Sequence, residues 1–441
     1  MEHQTNFSAA SLREFTQPYK TLLKDRRLHE GFDACVWGII GSGSCKVSQI
    51  AASNPLTAGV KHSERRLRRL VHGENERAEV SAEALGEVLS REGAKRLRGE
   101  HEVLLIIDES DLRKPFAREV EHLDTVRDLE GKAVSGFHTL TILGIGESGV
   151  RSLLYQNSFS SHAPGFKSVN DEYRKAMKQV SAALRKQHVG RLLWVMDRGF
   201  DDSKLLGWIH AKGECFVVRT RHPERTAKVR LDGRSKPLQS WLKDVTPIGQ
   251  LPLAKRFFSQ AQSRSRTSYK VNIRALSVQL EQLPDTDTTA IELSHPKLAK
   301  PWLLLSNLRL EGGHVERLER ATRIVQAYRQ RWSIEDLFSW TKDALDWESV
   351  RVLDYAALRT LVTFAWLAAS FLFDLGAKLE QPQLLLLAQL GGWTPGKNKP
   401  GQAVLCKGLA RLSHHLVVEQ LTKNPKAAAS LDALTRDLLH P

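Results

Sequence analysis

The spacing of apolar residues changes along the chain. Residues 1 to about 95 have the period of amphipathic helices, and apolar runs of strand length begin at residue 102. These runs and the helical patterns between them are, in order, EVLLIID, GFHTLTILGI, VRSLLYQNSF, the helical NDEYRKAMKQVSAALRKQ, RLLWVMD, the helical DDSKLLGWIHAKG and CFVVRT. The order βββαβαβ predicts an α/β fold whose first three strands are antiparallel.

The rest of the sequence divides into an irregular middle and a helical end. Residues 221 to about 300 are rich in Arg, Lys, Ser, Thr and Pro, and the strand-like WLLLSNL follows them, which predicts a β-rich insertion. After Gly313 the pattern is helical, and Pro and Gly residues between 382 and 400 set off a last helical piece. The predicted parts are therefore 1–97, 98–378 with an insertion at 221–310, and 379–441.

The net charge of the chain indicates what kind of partner it binds. The 441 residues include 65 Lys and Arg against 50 Asp and Glu, a formal net charge of +15, which favours a polyanion such as nucleic acid. Charge alone does not decide, because many soluble proteins are basic. The segment KHSERRLRRLVHG predicts a helix capped by Ser63 and anchored by Leu67 and Leu70. Its basic residues fit a DNA backbone, or alternatively a solvated helix face: Lys61, Arg65, Arg66, Arg68 and Arg69.

Cysteine usage and hydropathy exclude several classes. The four cysteines are scattered with no CxxC pair, which argues against a zinc site or a disulfide framework and favours a reducing, cytoplasmic setting. The first 20 residues lack the apolar region of a signal peptide. The longest apolar run, LVTFAWLAASFLF at 361–373, is too short to span a bilayer and is predicted to be a buried helix. No membrane partner is expected.

Three acidic residues stand at positions that suit a catalytic site. Asp108 and Asp197 each end an apolar strand, so both would open at one edge of the sheet if those strands adjoin. The third, Glu335, lies in YRQRWSIEDLFSWTK, residues 328–342. On one continuous helix Tyr328, Arg331, Glu335 and Lys342 would share an arc of about 60° over about 21 Å. The alternatives are strand-end aspartates that only form turns, and an amphipathic helix with a solvated face.

Carboxylates from distant parts of a chain are the usual ligands of two Mg²⁺ ions in phosphoryl transfer, with Mn²⁺ able to substitute. Arg331 and Lys342 would then neutralise neighbouring phosphates, and the hydroxyl of Tyr328 would contact a phosphate oxygen. The segment 328–342 would in that case be a DNA contact that carries one metal ligand.

At these residues the sequence resembles the DDE transposases of the insertion-sequence-four type. Their signature is Tyr, two residues, Arg, three residues, Glu, six residues, Lys, and YRQRWSIEDLFSWTK meets every position of it. DESDL and MDRGFDD resemble the first-Asp and second-Asp motifs of the same family. The resemblance implies an RNase H-like core, a mixed five-stranded sheet with helices, interrupted by the β-rich insertion and flanked by helical N- and C-terminal domains. It also implies that Asp108, Asp197 and Glu335 are the catalytic, metal-binding triad.

The resemblance further implies cut-and-paste chemistry on double-stranded DNA, at the element's ends and at a target. Water nicks the element's end, the freed 3′-OH attacks the other strand to form a hairpin, and after release it attacks target DNA. Residues 1–97 would bind DNA, and 379–441 would contact the second subunit of a homodimer. Two other hypotheses remain: a transposase-derived DNA-binding protein without catalysis, and an RNase H-like nuclease without strand transfer.

Further residues are candidates for DNA contact. A hairpin step needs a bent strand and an aromatic platform for a displaced base, for which Trp302 is the candidate, with a core position on a strand as the alternative. Arg198 and Arg219 are expected to meet DNA, or else to form salt bridges. His138 and His210 are interpreted as packing residues and receive no catalytic role.

Overall fold

The computed structural model describes residues 2–53, 60–72, 80–128, 130–229, 234–258, 268–396 and 400–422 of the chain. The fold is mixed α/β. Its helices are α1 Glu2–Lys20, α2 Arg27–Ser42, α3 Val47–Ala52, α4 Val60–His72, α5 Ala82–Lys95, α6 Val169–Arg185, α7 Ser203–Ala211, α8 Leu238–Asp244, α9 His314–Arg329, α10 Trp332–Leu345, α11 Tyr355–Lys378, α12 Gln381–Leu390 and α13 Gln402–Thr422. Its strands are β1 Glu102–Arg113, β2 Asp124–Arg127, β3 Ala133–Gly146, β4 Arg151–Phe159, β5 Arg191–Met196, β6 Cys215–Arg219, β7 Thr226–Lys228, β8 Ser235–Pro237, β9 Gly249–Ala254, β10 Ser268–Leu280, β11 Leu283–Ser294 and β12 Trp302–Ser306.

The described strands form a single sheet in the order β2-β3-β1-β5-β6-β12-β11-β10-β7-β8, with β4 beside β3 and β9 beside β10. Strands β1, β5 and β6 are parallel, β3 runs antiparallel to β1, and β4 runs antiparallel to β3. The predicted order βββαβαβ is confirmed, although the short β2 was not foreseen. The sheet does not stop at five strands, because β12 pairs antiparallel with β6 and the insertion continues the sheet. A free strand edge favours such pairing.

Strand β1 is longer than its apolar run. The predicted end at Asp108 is wrong, because β1 pairs with β3 as far as Arg113 opposite Gly136, whereas its pairing with β5 ends at Ile107 opposite Met196. A Cβ at position 136 would come within 2.5 Å of the carbonyl oxygen of Leu112, so glycine permits this close pairing. Polar residues therefore occupy the second half of a strand whose first half is buried.

Two hydrophobic clusters cover the two faces of the sheet. On one face Leu105 and Ile107 pack with α6 and α7 residues, and on the other Ile106 joins a cluster that includes α2, α9, α10 and α11. Helix α11 is long and apolar enough to cross a membrane by length and composition, and 89% of its most apolar window is buried inside the fold. The prediction of a buried helix at 361–373 is confirmed, but the length argument fails, because the helix has 24 residues.

Helix α4 carries the basic cluster of the N-terminal part. The predicted cap is wrong: α4 begins at Val60, and Ser63 is a buried residue inside the helix. Leu67 and Leu70 are buried as expected, because they pack beneath the helix. Arg66 is half-buried and pairs with Glu30 at 3.1 Å. The other basic residues of the cluster are exposed: Lys61, Arg65, Arg68 and Arg69.

Candidate active site

Pairing of β1 with β5 brings two of the predicted acids together. The register ends at Ile107 opposite Met196, so Asp108 and Asp197 are the next pair of residues on adjacent parallel strands. Neighbouring strands lie about 4.8 Å apart. Because side chains alternate between faces, Asp108 shares the face of Ile106, and Asp197 shares the face of Val195. Both carboxylates therefore open on the side where α9 and α10 pack.

The segment 328–342 is not one continuous helix, and this prediction is wrong. Helix α9 ends at Arg329 and α10 begins at Trp332. Between them the amides of Gln330 and Arg331 donate to carbonyls three residues back, at 3.1 and 3.0 Å, which tightens the turn. Tyr328 thus belongs to α9, whereas Glu335 and Lys342 belong to α10, and the four residues do not form one straight polar line.

Arg331 lies at the centre of the acids. One terminal nitrogen of its guanidinium donates to Oδ2 of Asp108 at 3.3 Å, and the other donates to Oε1 of Glu335 at 2.5 Å. The side chain is only 8% exposed, and its Nε has no hydrogen-bond partner among the described residues. The sequence predicted a DNA contact for Arg331, which stays a prediction. In this structure Arg331 is the counter-ion that joins two of the three acids.

Tyr328 serves the third acid. Its hydroxyl donates to Oδ1 of Asp197 at 3.4 Å, and the residue is 2% exposed. Burial, followed by the charge of Asp197, raises the pKa of Tyr328 to about 12, so the phenol stays a donor. In this conformation the hydroxyl holds Asp197 rather than facing a phosphate.

Trp302 lies beside Tyr328 and is buried. Its ring meets that of Tyr328 edge to face at 5.8 Å, and the guanidinium of Arg219 stacks over it at 5.3 Å. Burial lowers the pKa of Arg219, which is half-exposed, and Arg198 is exposed next to Asp197. At 6% exposure, Trp302 offers no open face to a base in this conformation, in agreement with the alternative of a core tryptophan. Its role as a platform stays a prediction.

The electrostatics of Asp108 show how crowded the negative charges are. Burial raises its pKa to about 7. Arg331 opposes the rise, and the charges of Asp197 and Glu335 add to it. One guanidinium therefore does not balance the acids, and the site favours additional positive charge.

The donor set suits a hard divalent cation, since it consists of carboxylate oxygens. As the side chains stand, no group of three or more His, Cys, Asp or Glu in the described ranges could hold a metal ion. The reason is visible: the Arg331 guanidinium lies between Asp108 and Glu335. A cationic group is accommodated at this position, and the carboxylate chemistry around it suits a metal ion in its place.

Lys342, on α10, contacts β1 three residues beyond Asp108, in a hydrogen-bond network that the sequence did not indicate. Its Nζ donates to the carbonyl oxygen of Asp111 at 3.2 Å and to Glu348 at 3.5 Å, above the ring of Trp347. Glu348 also accepts two bonds from the guanidinium of Arg113, both at 3.0 Å. Lys342 is 22% exposed, so its charge is positioned and still reaches solvent.

Helix α10 runs alongside β1, which explains the spacing of its two functional residues. Glu335 and Lys342 are seven helical residues apart, a rise of about 10.5 Å. Asp108 and Asp111, which they contact through Arg331 and directly, are three strand residues apart, about 10 Å. Because the two lengths match, Glu335 near the start of α10 lies at the acids while Lys342 near its end lies at Asp111.

A second buried charge pair follows Asp197 and was also missed. Asp201 pairs with Arg225 at 3.0 Å, with side chains 0% and 3% exposed. Its other oxygen accepts from the hydroxyl of Thr220 and the amide of Arg221, both at 2.7 Å. The two adjacent acids in MDRGFDD were the available signal, but nothing in the sequence identified the partner. The pair fixes the loop after β6 to the turn that carries Asp197.

The histidines take no part in the acid centre. His138 stacks on Phe159 at 5.5 Å and faces Asp111 and Asp124 at 3.7 and 3.9 Å. His210 is exposed near the end of α7. Their sequence interpretation as packing residues fits His138, which is half-buried, better than His210.

Comparison with known proteins identifies a family. A family model described as a transposase DDE domain matches residues 100–372, from just before β1 to near the end of α11. Among solved structures, the Drosophila P element transposase strand transfer complex matches at 10% sequence identity over 86% of this chain and 81% of that chain, with a TM-score of 0.17. A TM-score this low does not establish a shared fold.

Proposed function

The chain belongs to the transposase DDE domain family, and from this premise we propose that it cuts DNA at the ends of an insertion sequence and joins the 3′-OH ends to target DNA. The proposed type is the insertion-sequence-four transposase, because the Tyr, Arg, Glu and Lys signature is complete at 328–342. The proposed core is RNase H-like. In its support, the five strands predicted for that core are adjacent, in the order β4-β3-β1-β5-β6. Asp108 lies on β1, and Asp197 directly follows β5.

One observation carries the proposal. The register of β1 and β5 sets Asp108 beside Asp197, and Arg331 connects Asp108 to Glu335, so residues more than 200 positions apart meet at one point. Burial of acids without a full set of partners costs stability. Because the acids are buried together at the strand ends despite this cost, a functional role explains their position better than a structural one.

Asp108, Asp197 and Glu335 would hold two Mg²⁺ ions, with Mn²⁺ able to substitute. When bound, these ions would stabilise negative charge on the attacking and leaving oxygens of the phosphoryl transfer. Tyr328 orients Asp197 by its hydrogen bond, and Lys342 neutralises a phosphate next to the scissile one. Arg331, on leaving the acids, gains a phosphate as its new partner, so its charge stays paired in both states.

Double-stranded DNA is the proposed partner, both as element end and as target. The exposed basic residues of α4 supply a second contact with the phosphate backbone, outside the acid centre. Coordinated cleavage of two ends needs two active sites, so we propose a homodimer on DNA, with contact through the segment after residue 379.

The test is incubation of the purified protein with a duplex that carries the inverted repeats flanking its coding sequence, in the presence of MgCl₂. Denaturing and native gels should show a nick at the repeat end, a hairpin product and joining to a target plasmid. Binding without cleavage would favour a transposase-derived DNA-binding protein. Hydrolysis without joining would favour a nuclease, and either result would overturn the proposal.

A further inference from the structure

The loop after β1 exposes an aromatic side chain close to the Lys342 network. Phe116 is 95% exposed, the highest value among the exposed large apolar side chains of the described residues. A single exposed apolar residue is ordinary on a protein surface. A phenylalanine exposed to this degree beside a proposed DNA path is not explained by packing, because it has almost none.

The backbone around Phe116 is held firmly. The amide of Lys114 donates to the carbonyl oxygen of Ser135 at 2.7 Å, and its Nζ donates to the carbonyl oxygens of Glu348 and Val350, both at 2.5 Å. The amide of Ala117 closes a turn onto the carbonyl oxygen of Lys114 at 2.9 Å. Phe116 is therefore presented on an ordered turn, so a partner that binds it has only the side chain, and not the backbone, to order.

A second exposed apolar residue follows in the adjoining segment. The amide of Glu121 donates to the carbonyl oxygen of Leu353 at 3.0 Å, which ties the loop to the segment before α11. Leu353 is 63% exposed. Two apolar side chains thus project from two loops that are bonded to each other.

Two exposed arginines accompany this surface. Arg118 and Arg351 lie on the same two loops, whereas Arg113 pairs with Glu348 and Lys114 is held by carbonyl oxygens. Glu119 and Glu121 are also exposed, and Glu121 accepts a bond from the amide of Tyr355. The two arginines suit the phosphates of a DNA backbone that passes this surface.

The surface also lies in line with the acids. Asp108 and Arg113 are five positions apart on β1, about 17 Å, and Lys342 contacts the strand between them. At about 3.4 Å per nucleotide along one strand, this length covers about five base steps. DNA with its scissile phosphate at the acids and a phosphate on Lys342 would continue toward Phe116.

We propose that Phe116 is a DNA-contacting wedge that packs against a base or base step where the duplex is bent or unstacked, with Leu353 on the loop bonded to its own. The inference rests on the proposed function and adds a binding residue to it. Apolar side chains that insert between base steps are an established way to hold bent DNA. Trp302, at 6% exposure, offers no such face in this conformation.

The test is fluorescence anisotropy with a labelled DNA duplex, either intact or with a central mismatch, in EDTA so that no cleavage occurs. The proteins are wild type, Phe116→Ala and Phe116→Trp, with Val315→Ala as the matched control. Val315 is 64% exposed at the start of α9, about 20 Å along that helix from Tyr328. Phe116 is nearly fully exposed, so its substitution should leave the melting temperature unchanged.

Wild type should prefer the mismatched duplex. Phe116→Ala should bind that duplex roughly five- to 100-fold more weakly, the range expected for loss of one aromatic–base stack, with a smaller loss on the intact duplex. Phe116→Trp should keep the preference, and Val315→Ala should match wild type.

Two results would overturn the inference alone, and a third would overturn the proposed function on which it rests. If Phe116→Ala bound both duplexes as tightly as wild type, Phe116 would have no role in DNA binding, and the proposed function would still stand. Failure of the wild type itself to bind any duplex would instead count against the proposed function. A change of subunit association in sedimentation, with DNA affinity unchanged, would assign the surface to a second copy of the chain.

Discussion

Two buried groups of charges lie at neighbouring strand ends and are balanced differently. Asp201 has three partners in one loop, and its pair with Arg225 is closed from solvent. Asp108 shares a single guanidinium with Glu335, and its pKa is raised to about 7 by burial, with Asp197 and Glu335 adding to the rise. The first group has one guanidinium for its one carboxylate. The second lacks positive charge, which is the condition expected of a site that binds a cation.

The comparison separates acids that hold the fold from acids that act on a ligand, although both kinds occur in MDRGFDD. Both acids are largely buried, with side chains 19% and 0% exposed for Asp108 and Asp201. The balance of charge distinguishes them. Asp201 has the guanidinium of Arg225 as its own counter-ion, whereas Asp108 shares that of Arg331 with Glu335.

The largest expected effect separates these two kinds of acid by activity. Asp197→Asn should reduce DNA cleavage by about 1000-fold or more, because loss of a metal ligand removes several kcal/mol of transition-state stabilisation. The measurement is the initial rate of nicking with MgCl₂, together with the melting temperature. Asp202→Asn, the same change in an acid that caps α7 by accepting from the amide of Leu205, is the control and should retain cleavage. Equal loss in both variants would contradict the distinction.

The next effect concerns stability. Arg225→Ala leaves Asp201 buried beside an empty place and should lower the free energy of unfolding by about 3–5 kcal/mol. Urea denaturation measures it. Arg198→Ala, an exposed arginine of the neighbouring turn, should change it by less than about 0.5 kcal/mol. A loss below about 1 kcal/mol for Arg225→Ala would show that the pair does not stabilise this loop.

A smaller effect depends on pH and tests the uncompensated charge. Because the folded-state pKa of Asp108 lies above its usual value of 3.8, the folded protein binds more protons between about pH 4 and pH 7, and stability falls as pH rises through this window. Above it the charged acid costs about 4 kcal/mol at most, since each pKa unit is worth about 1.4 kcal/mol. Asp108→Asn should therefore be more stable than wild type at about pH 8 in EDTA, and equal to it at about pH 4. Thermal melts across pH measure this, and a destabilised variant at the higher pH would show that Arg331 already balances the charge.

The smallest effect compares the two basic residues of the signature, Arg331 and Lys342. Lys342→Ala should lower the slope of log affinity for DNA against log salt by about one, the value for one lost phosphate contact. Arg331→Ala should lower it by less in EDTA, because the charge of Arg331 is engaged by Asp108 and Glu335. Lys342→Arg, which keeps the charge, is the control. Equal slopes for the two alanine variants would place Arg331 on DNA as fully as Lys342.

The sequence predicted those parts of the fold that depend on local periodicity. The strands associated with Asp108 and Asp197, the antiparallel strands between them in the chain and the buried helix α11 follow from apolar runs. The break at Gln330 and Arg331 does not, because nothing in the residue types forbids a continuous helix there. It becomes understandable only through the bond of Arg331 to the carboxylate of Asp108, which is distant in the sequence.

The site residues also fall into those that the sequence could identify and those that it could not. The three acids could be named because strand ends and the signature spacing mark them. Glu348, Arg113 and Asp201 could not, since each acts through a partner that is near only after folding. Trp302 was named for its chemistry, but its exposure depends on neighbours such as Tyr328 and Phe257 that sequence alone does not place.

The parallel course of α10 and β1 has a mechanical consequence. A helix of this length moves as a rigid rod, so any sliding of α10 along the strand would displace Glu335 from Asp108 and Lys342 from Asp111 by the same distance. Assembly of the acid centre and the grip on a neighbouring phosphate would then be gained or lost in a single movement.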